Sequence, residues 1–327
     1  MRRVEVAGMT DFEKEADVQS VANRHVPGVG EIEIRRLRQG LVNDTYRVLR
    51  DGNAYALRTA VANTPDLGLD RRWEERVLEG ADCAALAPAL VYCHPERGIL
   101  ISRWVDGRSW SLEDTLRPAN LTRMAELLQR IHALRLPAPT RVITPGQWVD
   151  YYSAAARVEA QAPGVRAAAL RAMALERLGA LAALPRVAPM VCHSDLHTLN
   201  LIDRGDSLVL LDWEYAHAAD PFWDLAGWSA NNDFEDSPTL ELLAKYLGRT
   251  PTPAECSRLR LLSWLYDYVC LLWSELYLSL HRGRPGRAGG EVVAAAAASE
   301  ESTPADSALG EVCARAQLLA ARLRLAE

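Results

Sequence analysis

The chain has 327 residues, 49% of them hydrophobic and 24% charged, with 20 Gly and 17 Pro, a composition that sets aside disorder and fibres and allows two lobes, each with its own core. Against 43 Asp plus Glu stand 37 Lys plus Arg, a net charge of −6, so no overall field favours nucleic acid or an anionic membrane as a partner. Lys14 and Lys245 are the two lysines, and any phosphate must be held locally, by arginine.

Residues 1–6 are charged and lack the apolar core of a secretory leader, and no apolar run is long enough to span a bilayer. The six cysteines, at 83, 93, 192, 256, 270 and 313, include no C-x-x-C pair, and no His stands at metal-site spacing. Free thiols in a reducing cytoplasm are expected, without structural zinc or a disulfide.

Thr10 and Glu13 form a capping-box pattern for a helix over 11–25, closed by Pro27, Gly28 and Gly30. Strands are predicted at 32–37, 44–49 and 53–59, the last two joined by a hairpin at Asp51-Gly52-Asn53. A helix over 70–81 and strands at 90–92 and 99–105 complete a five-stranded antiparallel lobe, residues 1–104. From Pro118 helices dominate, at 118–134, 145–161, 165–183, 221–230, 238–247 and 253–282, and residues 189–212 break the run with a polar loop and a short hairpin through Gly205. Residues 105–327 form this second, helical lobe; within it 282–307 read as a flexible linker and 308–325 as a C-terminal helix. The fold class is α+β, a β-rich lobe followed by a helical one.

The segment His193-Ser194-Asp195-Leu196-His197-Thr198-Leu199-Asn200, followed by Leu211-Asp212-Trp213-Glu214-Tyr215, concentrates polar groups at loop positions. Phosphoryl transfer needs a carboxylate to orient the attacking hydroxyl and accept its proton, and oxygen ligands to hold Mg²⁺ against nucleotide phosphates. Asp195, Asn200 and Asp212 supply that set, at the spacing of a kinase catalytic loop and its metal-binding aspartate.

Here the sequence resembles the aminoglycoside phosphotransferase and choline kinase superfamily of small-molecule kinases. The resemblance is carried by His193-x-Asp195-x-His197-x-x-Asn200, by Leu211 to Ala216, and by Asp220-Pro221-Phe222-Trp223-Asp224-Leu225-Ala226. It implies a protein-kinase-like two-lobed fold that uses ATP and Mg²⁺. Asp195 is then the catalytic carboxylate, Asn200 and Asp212 are metal ligands with Glu214 reaching a second metal, and Asp224 braces the loop. His193 is expected to brace it too rather than transfer protons, while His197 and His217 stay open between structure and substrate contact.

In the first lobe, Gln39 to Val48 resembles the nucleotide-covering turn of the choline and thiamine kinase branches, so Gly40, Leu41, Val42, Asn43 and Thr45 are expected against the phosphates. Arg58 stands where a protein kinase carries its phosphate-binding lysine, with Glu74, or less favourably Glu75, as orienting partner. Leu100 to Val105 would form the hinge around adenine, giving Ile101, Arg103 and Trp104 as cofactor contacts.

Five of the nine tryptophans lie between 213 and 273, and aromatic faces suit a quaternary ammonium or thiazolium group. On the helix over 253–282, Trp264, Tyr268, Leu271 and Glu275 share one face, and Tyr266, Trp273, Tyr277 and Leu280 the opposite one, so the helix is expected to be buried on both sides. Tyr215, Trp264, Trp273, Glu275 and Tyr277 are the substrate candidates; for the two tryptophans core packing competes with cage formation, and for Glu275 and Asp267 a salt bridge competes with a substrate cation. Cys270 replaces a cage tryptophan that the resemblance implies. Glu235, Asp236, Glu241 and Glu255 keep a polycationic aminoglycoside open, and thiamine fits the same aromatics as choline.

The expected enzyme is an ATP- and Mg²⁺-dependent kinase in the cytoplasm, monomer or homodimer, phosphorylating a small cationic alcohol, choline or ethanolamine first. A nucleotide-binding pseudokinase is the competing class, disfavoured because Asp195, Asn200 and Asp212 are all present; a structural protein using the 308–325 helix is the third.

Overall fold

The computed structural model describes residues 11–39, 42–60, 67–135, 140–159, 165–282 and 304–325. Two compact units result: Met1–Ala62 with Pro88–Val105, and Asn63–Ala87 with Asp106–Glu327.

The first unit holds helix α1 (Asp11–His25) and the antiparallel strands β1 (Ile32–Gln39), β2 (Asn43–Arg50), β3 (Asn53–Ala60), β4 (Leu90–His94) and β5 (Ile99–Arg103), ordered β1-β2-β3-β5-β4. Alternation assigns the two sheet faces. Tyr46, Val48, Tyr55, Leu57, Ile99 and Ile101 pack with Val18, Val21, Ala22 and Val26 of α1 and its end. Thr45, Arg47, Ala56, Arg58 and Leu100 therefore lie on the other face, with Thr45 opposite Arg58 and Arg58 opposite Leu100 in the register.

The β2–β3 hairpin turns on Asp51 and Gly52, at φ 48° and 74°, the left-handed pair that a two-residue loop requires. The Asp51 carboxylate accepts hydrogen bonds from the N–H of Val29 (2.9 Å) and Gly30 (3.1 Å). A Cβ at Gly28 or Gly30 would stand 2.4 or 2.1 Å from that carboxylate, so both glycines give the loop room. Arg50 donates to the carbonyls of Val26 (2.7 Å) and Asn23 (3.2 Å), satisfying the last turn of α1.

The second unit contains α2 (Arg71–Cys83), α3 (Leu112–Thr115), α4 (Pro118–His132), α5 (Pro145–Glu159), α6 (Val165–Ala183), β6 (Met190–Cys192), β7 (Leu201–Asp203), β8 (Leu208–Leu210), β9 (His217–Ala219), α7 (Phe222–Asn231), α8 (Asp236–Leu247), α9 (Pro253–Arg282) and α10 (Pro304–Leu325). Helix α9 contacts α5, α6, α7 and α10, which accounts for apolar residues around its circumference.

Three readings of the sequence change. Helix α2, grouped by its sequence with the strands, packs in the second unit, because the Trp73 indole N–H donates to the Ala216 carbonyl at 2.8 Å. The C-terminal helix starts at Pro304, not 308, so residues 304–307 of the expected linker are helical; proline presets the φ of a first helical turn. The strand pair β6–β9 and the short α3 carry too few residues for a periodic signal. Residues 283–303 of the linker, Thr10 of the capping box, and Gly40 and Leu41 lie outside the described residues. The six cysteines are free thiols. Among the described residues no helix is long and apolar enough to cross a membrane.

Asp203 ends β7 and ties the catalytic half together. Its carboxylate receives the Trp110 indole (2.7 Å), two Arg123 bonds (2.7 Å each) and the Gly205 N–H (2.8 Å), while its backbone exchanges bonds with Arg108. The Arg123 hydrogen bond, against the opposing effect of burial, holds this carboxyl well below the usual carboxylate range. Asp203→Ala is expected to cost about 2–4 kcal/mol, because it leaves a partly buried guanidinium and an indole N–H unpaired. Urea unfolding measures this, and a loss below about 0.5 kcal/mol would mean the network is incidental.

Candidate active site

Two short strand pairings assemble the site. The β7–β8 register sets Leu201 opposite Leu210, and the Leu211 N–H bonds the Asn200 carbonyl at 2.8 Å, which brings Asn200 alongside Asp212. The β6–β9 pairing sets Cys192 opposite His217, so the loop from His193 to Asp195 leaves the sheet next to Tyr215 and Ala216.

Asp224, buried in the first turn of α7, shapes that loop. One carboxylate oxygen accepts the His193 N–H (2.9 Å) and the other the Ser194 N–H (2.7 Å), with Ser194 at a left-handed φ of 68°. The His132 Nε2 stands 3.2 Å from the same carboxylate, and its Nδ1 lies 2.8 Å from the Tyr246 hydroxyl, which links α4 and α8 to the loop. Burial would raise the Asp224 carboxyl, but the His132 hydrogen bond and neighbouring charge outweigh it, and the group is held low and ionised. No sequence motif marks His132; its one signal is a histidine at the end of the apolar stripe of α4.

His193 is fully buried, and burial lowers its pKa. In the neutral ring, Nε2–H donates to the Leu211 carbonyl (2.9 Å) while Nδ1 accepts the Asp195 N–H (3.3 Å). Both nitrogens are engaged with backbone, which is the geometry of a brace.

The Asp195 side chain is 32% exposed, and the Asn200 amide donates to its Oδ2 (3.1 Å) and to its carbonyl (3.0 Å). His197 Nε2 stands 3.6 Å from the same carboxylate. Burial would raise this carboxyl, but the neighbouring His197, with His193 and Arg315 among the further contributors, brings it down to about 2. Asp195 is therefore ionised at any working pH and a weak base, fit to orient a hydroxyl and take its proton late.

Asp212 adopts φ 61°, ψ 67°, a left-handed conformation at the start of the 3₁₀ turn Trp213–Tyr215. Its carboxylate shares a cluster with those of Glu74 and Glu214, ligand atoms all within 4.8 Å of one another. The sequence did not single out Arg71, whose Nη1 lies 2.8 Å from Glu74 and 2.7 Å from Glu214. The oxygen donor set fits a hard cation such as Mg²⁺.

In the first unit, Asn43 is buried and Thr45 and Arg58 face each other across β2 and β3, on the sheet face that α1 leaves uncovered. Val42 is buried just before β2. The Trp104 ring stacks on Arg47 at 5.0 Å. Ile101 instead points into the α1 core, and Arg103 lies over the Tyr55 ring at 4.8 Å while bonding its hydroxyl. Their side chains serve the sheet.

Of the acceptor candidates, Tyr215, Trp273 and Tyr277 come together: the Trp273 indole donates to the Tyr215 hydroxyl at 2.7 Å, and Trp273 stacks on Tyr277 at 5.3 Å. Trp148 and Tyr152, at helical spacing on α5, join them, with Trp148 edge-on to Tyr215 at 6.4 Å and stacked on Tyr152 at 5.3 Å. Trp264 lies apart, stacked on Tyr268 beneath Arg177, and Glu275 is exposed on that other face of α9. Asp267 is paired with Arg322 at 3.3 Å.

A loop carboxylate with an adjoining amide, a second carboxylate on the following turn and a buried brace define a phosphotransferase of kinase-like α+β fold. Residues 33–259 match the family described as "Phosphotransferase enzyme family", and the chain belongs to it. No curated protein sequence matches the chain. Among solved structures it is similar to a choline/ethanolamine kinase family protein from Mesorhizobium loti, at 22% identity over 95% of this chain and 99% of that one, with a TM-score of 0.67. Choline kinase LicA from Streptococcus pneumoniae is 20% identical over 94% and 99%, TM-score 0.69. The streptomycin–ATP–APH(2″)-IIa ternary complex is 16% identical over 85% and 93%, TM-score 0.59.

His217, almost wholly buried, has its pKa lowered by burial to about 4, from 6.5. Between those values the unfolded chain takes a proton that the folded one refuses, so stability falls as pH drops from about 7 to 4, by up to roughly 3 kcal/mol. The thermal midpoint against pH reads this, and His217→Gln is expected to flatten the slope; an unchanged slope would assign the loss to another group.

Proposed function

We propose that the protein transfers the γ-phosphoryl group of ATP to a hydroxyl of a small ammonium-bearing alcohol, choline- or ethanolamine-like first, in the cytoplasm. The observation that supports this reading is the hydrogen bond of the Asn200 amide to the ionised Asp195, with the Asn200 carbonyl accepting the N–H of Leu211, the residue before Asp212. Asp195 accepts a hydrogen bond from the acceptor hydroxyl; as that oxygen bonds the γ-phosphorus and the bond to ADP breaks, the proton passes to its carboxylate. Asp212 and Asn200 would hold Mg²⁺, which would supply charge neutralisation for the phosphates, while Glu214 is paired with Arg71. Arg58 and Thr45 on the uncovered sheet face, with Gly40 to Asn43, are assigned to the nucleotide phosphates.

The partly exposed ring pair Tyr215–Trp273 supports a soft cation in the acceptor, each ring face being worth on the order of 0.5–2 kcal/mol. A thiazolium would use the same rings. Three of the four carboxylates that a polycationic aminoglycoside would need have partners within the chain: Glu255 with Arg249 (2.6 Å), Glu241 with Lys245 (3.5 Å) and Asp236 with Arg260 (3.7 Å). That favours a small acceptor.

Asp195→Ala is expected to lower acceptor-dependent ADP release at least about 10³-fold while MgATP affinity stays within a few-fold. Turnover retained at wild-type level would remove the assignment, and absent MgATP binding in the wild type would remove the kinase reading altogether.

A further inference from the structure

Helix α7 meets the catalytic loop twice. Asp224, in its first turn, accepts the N–H groups of His193 and Ser194, and Asn231, its last residue, donates from its side-chain NH₂ to the Leu196 carbonyl at 2.9 Å. Seven residues separate the two, which at about 100° per residue returns to within about 20° of the same face, about 10 Å further along the axis. One stripe of α7 therefore holds the loop on either side of Asp195.

Between these two points each backbone group has its partner. The Asp195 N–H goes to the His193 ring (3.3 Å), the Asp195 carbonyl takes the Asn200 amide (3.0 Å), and the carbonyl of the wholly buried Leu196 takes Asn231. A buried carbonyl is costly to leave unpaired, so without Asn231 the Leu196 peptide is driven to turn toward another donor, and Asp195 is attached to that peptide.

Asn231 can hold the carbonyl in one amide orientation only, and its neighbours impose it. The Arg315 guanidinium, which can only donate, bonds the amide oxygen; the Leu196 carbonyl, which can only accept, and the Tyr266 hydroxyl (3.0 Å) take the NH₂. A turned amide would set oxygen against the carbonyl and NH₂ against the guanidinium. Tyr266 has room beside α7 because residue 227 is glycine: a Cβ there would stand 2.8 Å from the Tyr266 ring, in a helix interior where glycine is otherwise unfavourable. Arg315 comes from α10, which lies beyond the segment matched to the family. That helix packs along α9 with Val312, Leu319 and Leu323 buried, and Arg322 fastens it to the Ala230 carbonyl, the residue before Asn231, at 3.1 Å.

We propose that Asn231 is a positioning residue for phosphoryl transfer: it fixes the peptide that follows Asp195, and Arg315, from the C-terminal helix, sets the orientation of its amide. The inference rests on the kinase reading above and gives neither residue a contact with substrate.

The test uses the full chain as wild type, Asn231→Leu, which keeps the branched shape without the donor, Arg315→Met and Arg315→Lys. Three quantities are measured: the thermal midpoint, ADP release with MgATP and choline or ethanolamine, and amide hydrogen exchange of residues 193–200. Expected for Asn231→Leu is a kcat at least about tenfold lower with the acceptor KM within about threefold, and faster exchange in 193–200 that the β2–β3 hairpin does not share. Arg315→Met shows a smaller loss, about threefold to fivefold, and Arg315→Lys, which still donates to the amide oxygen, recovers most of it. Where Asn231→Leu does not fold, Asn231→Asp, which keeps the shape and the Arg315 partner but brings no donor, takes its place. A kcat within about twofold of wild type, a loss carried by KM alone, or exchange that rises throughout the chain would overturn the inference; the second would make Asn231 an acceptor contact and the third a general support of the fold. If neither alcohol is turned over, exchange in 193–200 decides alone, faster exchange supporting the inference and unchanged exchange overturning it. Failure of the wild type to bind MgATP, read by nucleotide titration, is the distinct outcome that defeats the kinase reading instead.

Discussion

The catalytic half depends on one buried carboxylate. Asp224 accepts two consecutive backbone N–H groups, from His193 and Ser194, and in doing so compensates a backbone conformation that a non-glycine residue adopts at a cost of about 1 kcal/mol or more. With its own hydration lost, Asp224 is itself supported by His132, which leans on Tyr246. The direction of Asp195 is thus set by a chain of hydrogen bonds that begins on α4 and α8, well away from any substrate.

A second constraint acts on the other side of the loop. Arg71 bridges Glu74 and Glu214, three charges that would each be expensive to bury alone. The bridge ties the first turn of α2 to the turn that carries Asp212. The His193 ring, held against Trp213 at 4.7 Å and bonded to the Leu211 carbonyl, joins the same turn to the catalytic loop. The loop, the turn that carries Asp212 and helix α2 are therefore held to one another, and electrostatic preorganisation of this kind is what a reaction made mostly of positioning requires.

The sequence carried the parts of this arrangement that are local. The Asp51-Gly52 turn and the alternation of β2 and β3 are set within a few residues and the structure builds them as the pattern implied, and the spacing of Asp195, Asn200, Asp212 and Asp224 is likewise local in the chain. The two-faced character of α9 was also legible, because a 3.6-residue period reports which side chains share a face. What that period cannot report is the neighbour: Trp273 meets Tyr215 while Trp264 meets Arg177, and nothing in α9 distinguishes them. Arg71, His132, Asn231 and Arg315 escaped notice for the same reason, since their partners stand between 30 and about 140 residues away or, for Arg71, on both its own helix turn and a distant one. Trp148 and Tyr152 had a signal, two aromatic residues four apart on α5, which becomes informative only once Tyr215 is placed beside them.

The position of α10 in the chain gives its ion pairs an order in time. Asp267, buried in α9, and Asp233, after α7, are synthesised some 55 and 89 residues before Arg322, the guanidinium that pairs with both. During synthesis α9 can therefore leave the ribosome while its Asp267 carboxylate still lacks that guanidinium, a state that disfavours burying it. Closure of this corner is deferred until residues 304–325 have emerged, so α10 acts as a latch on the assembly of the helices made before it.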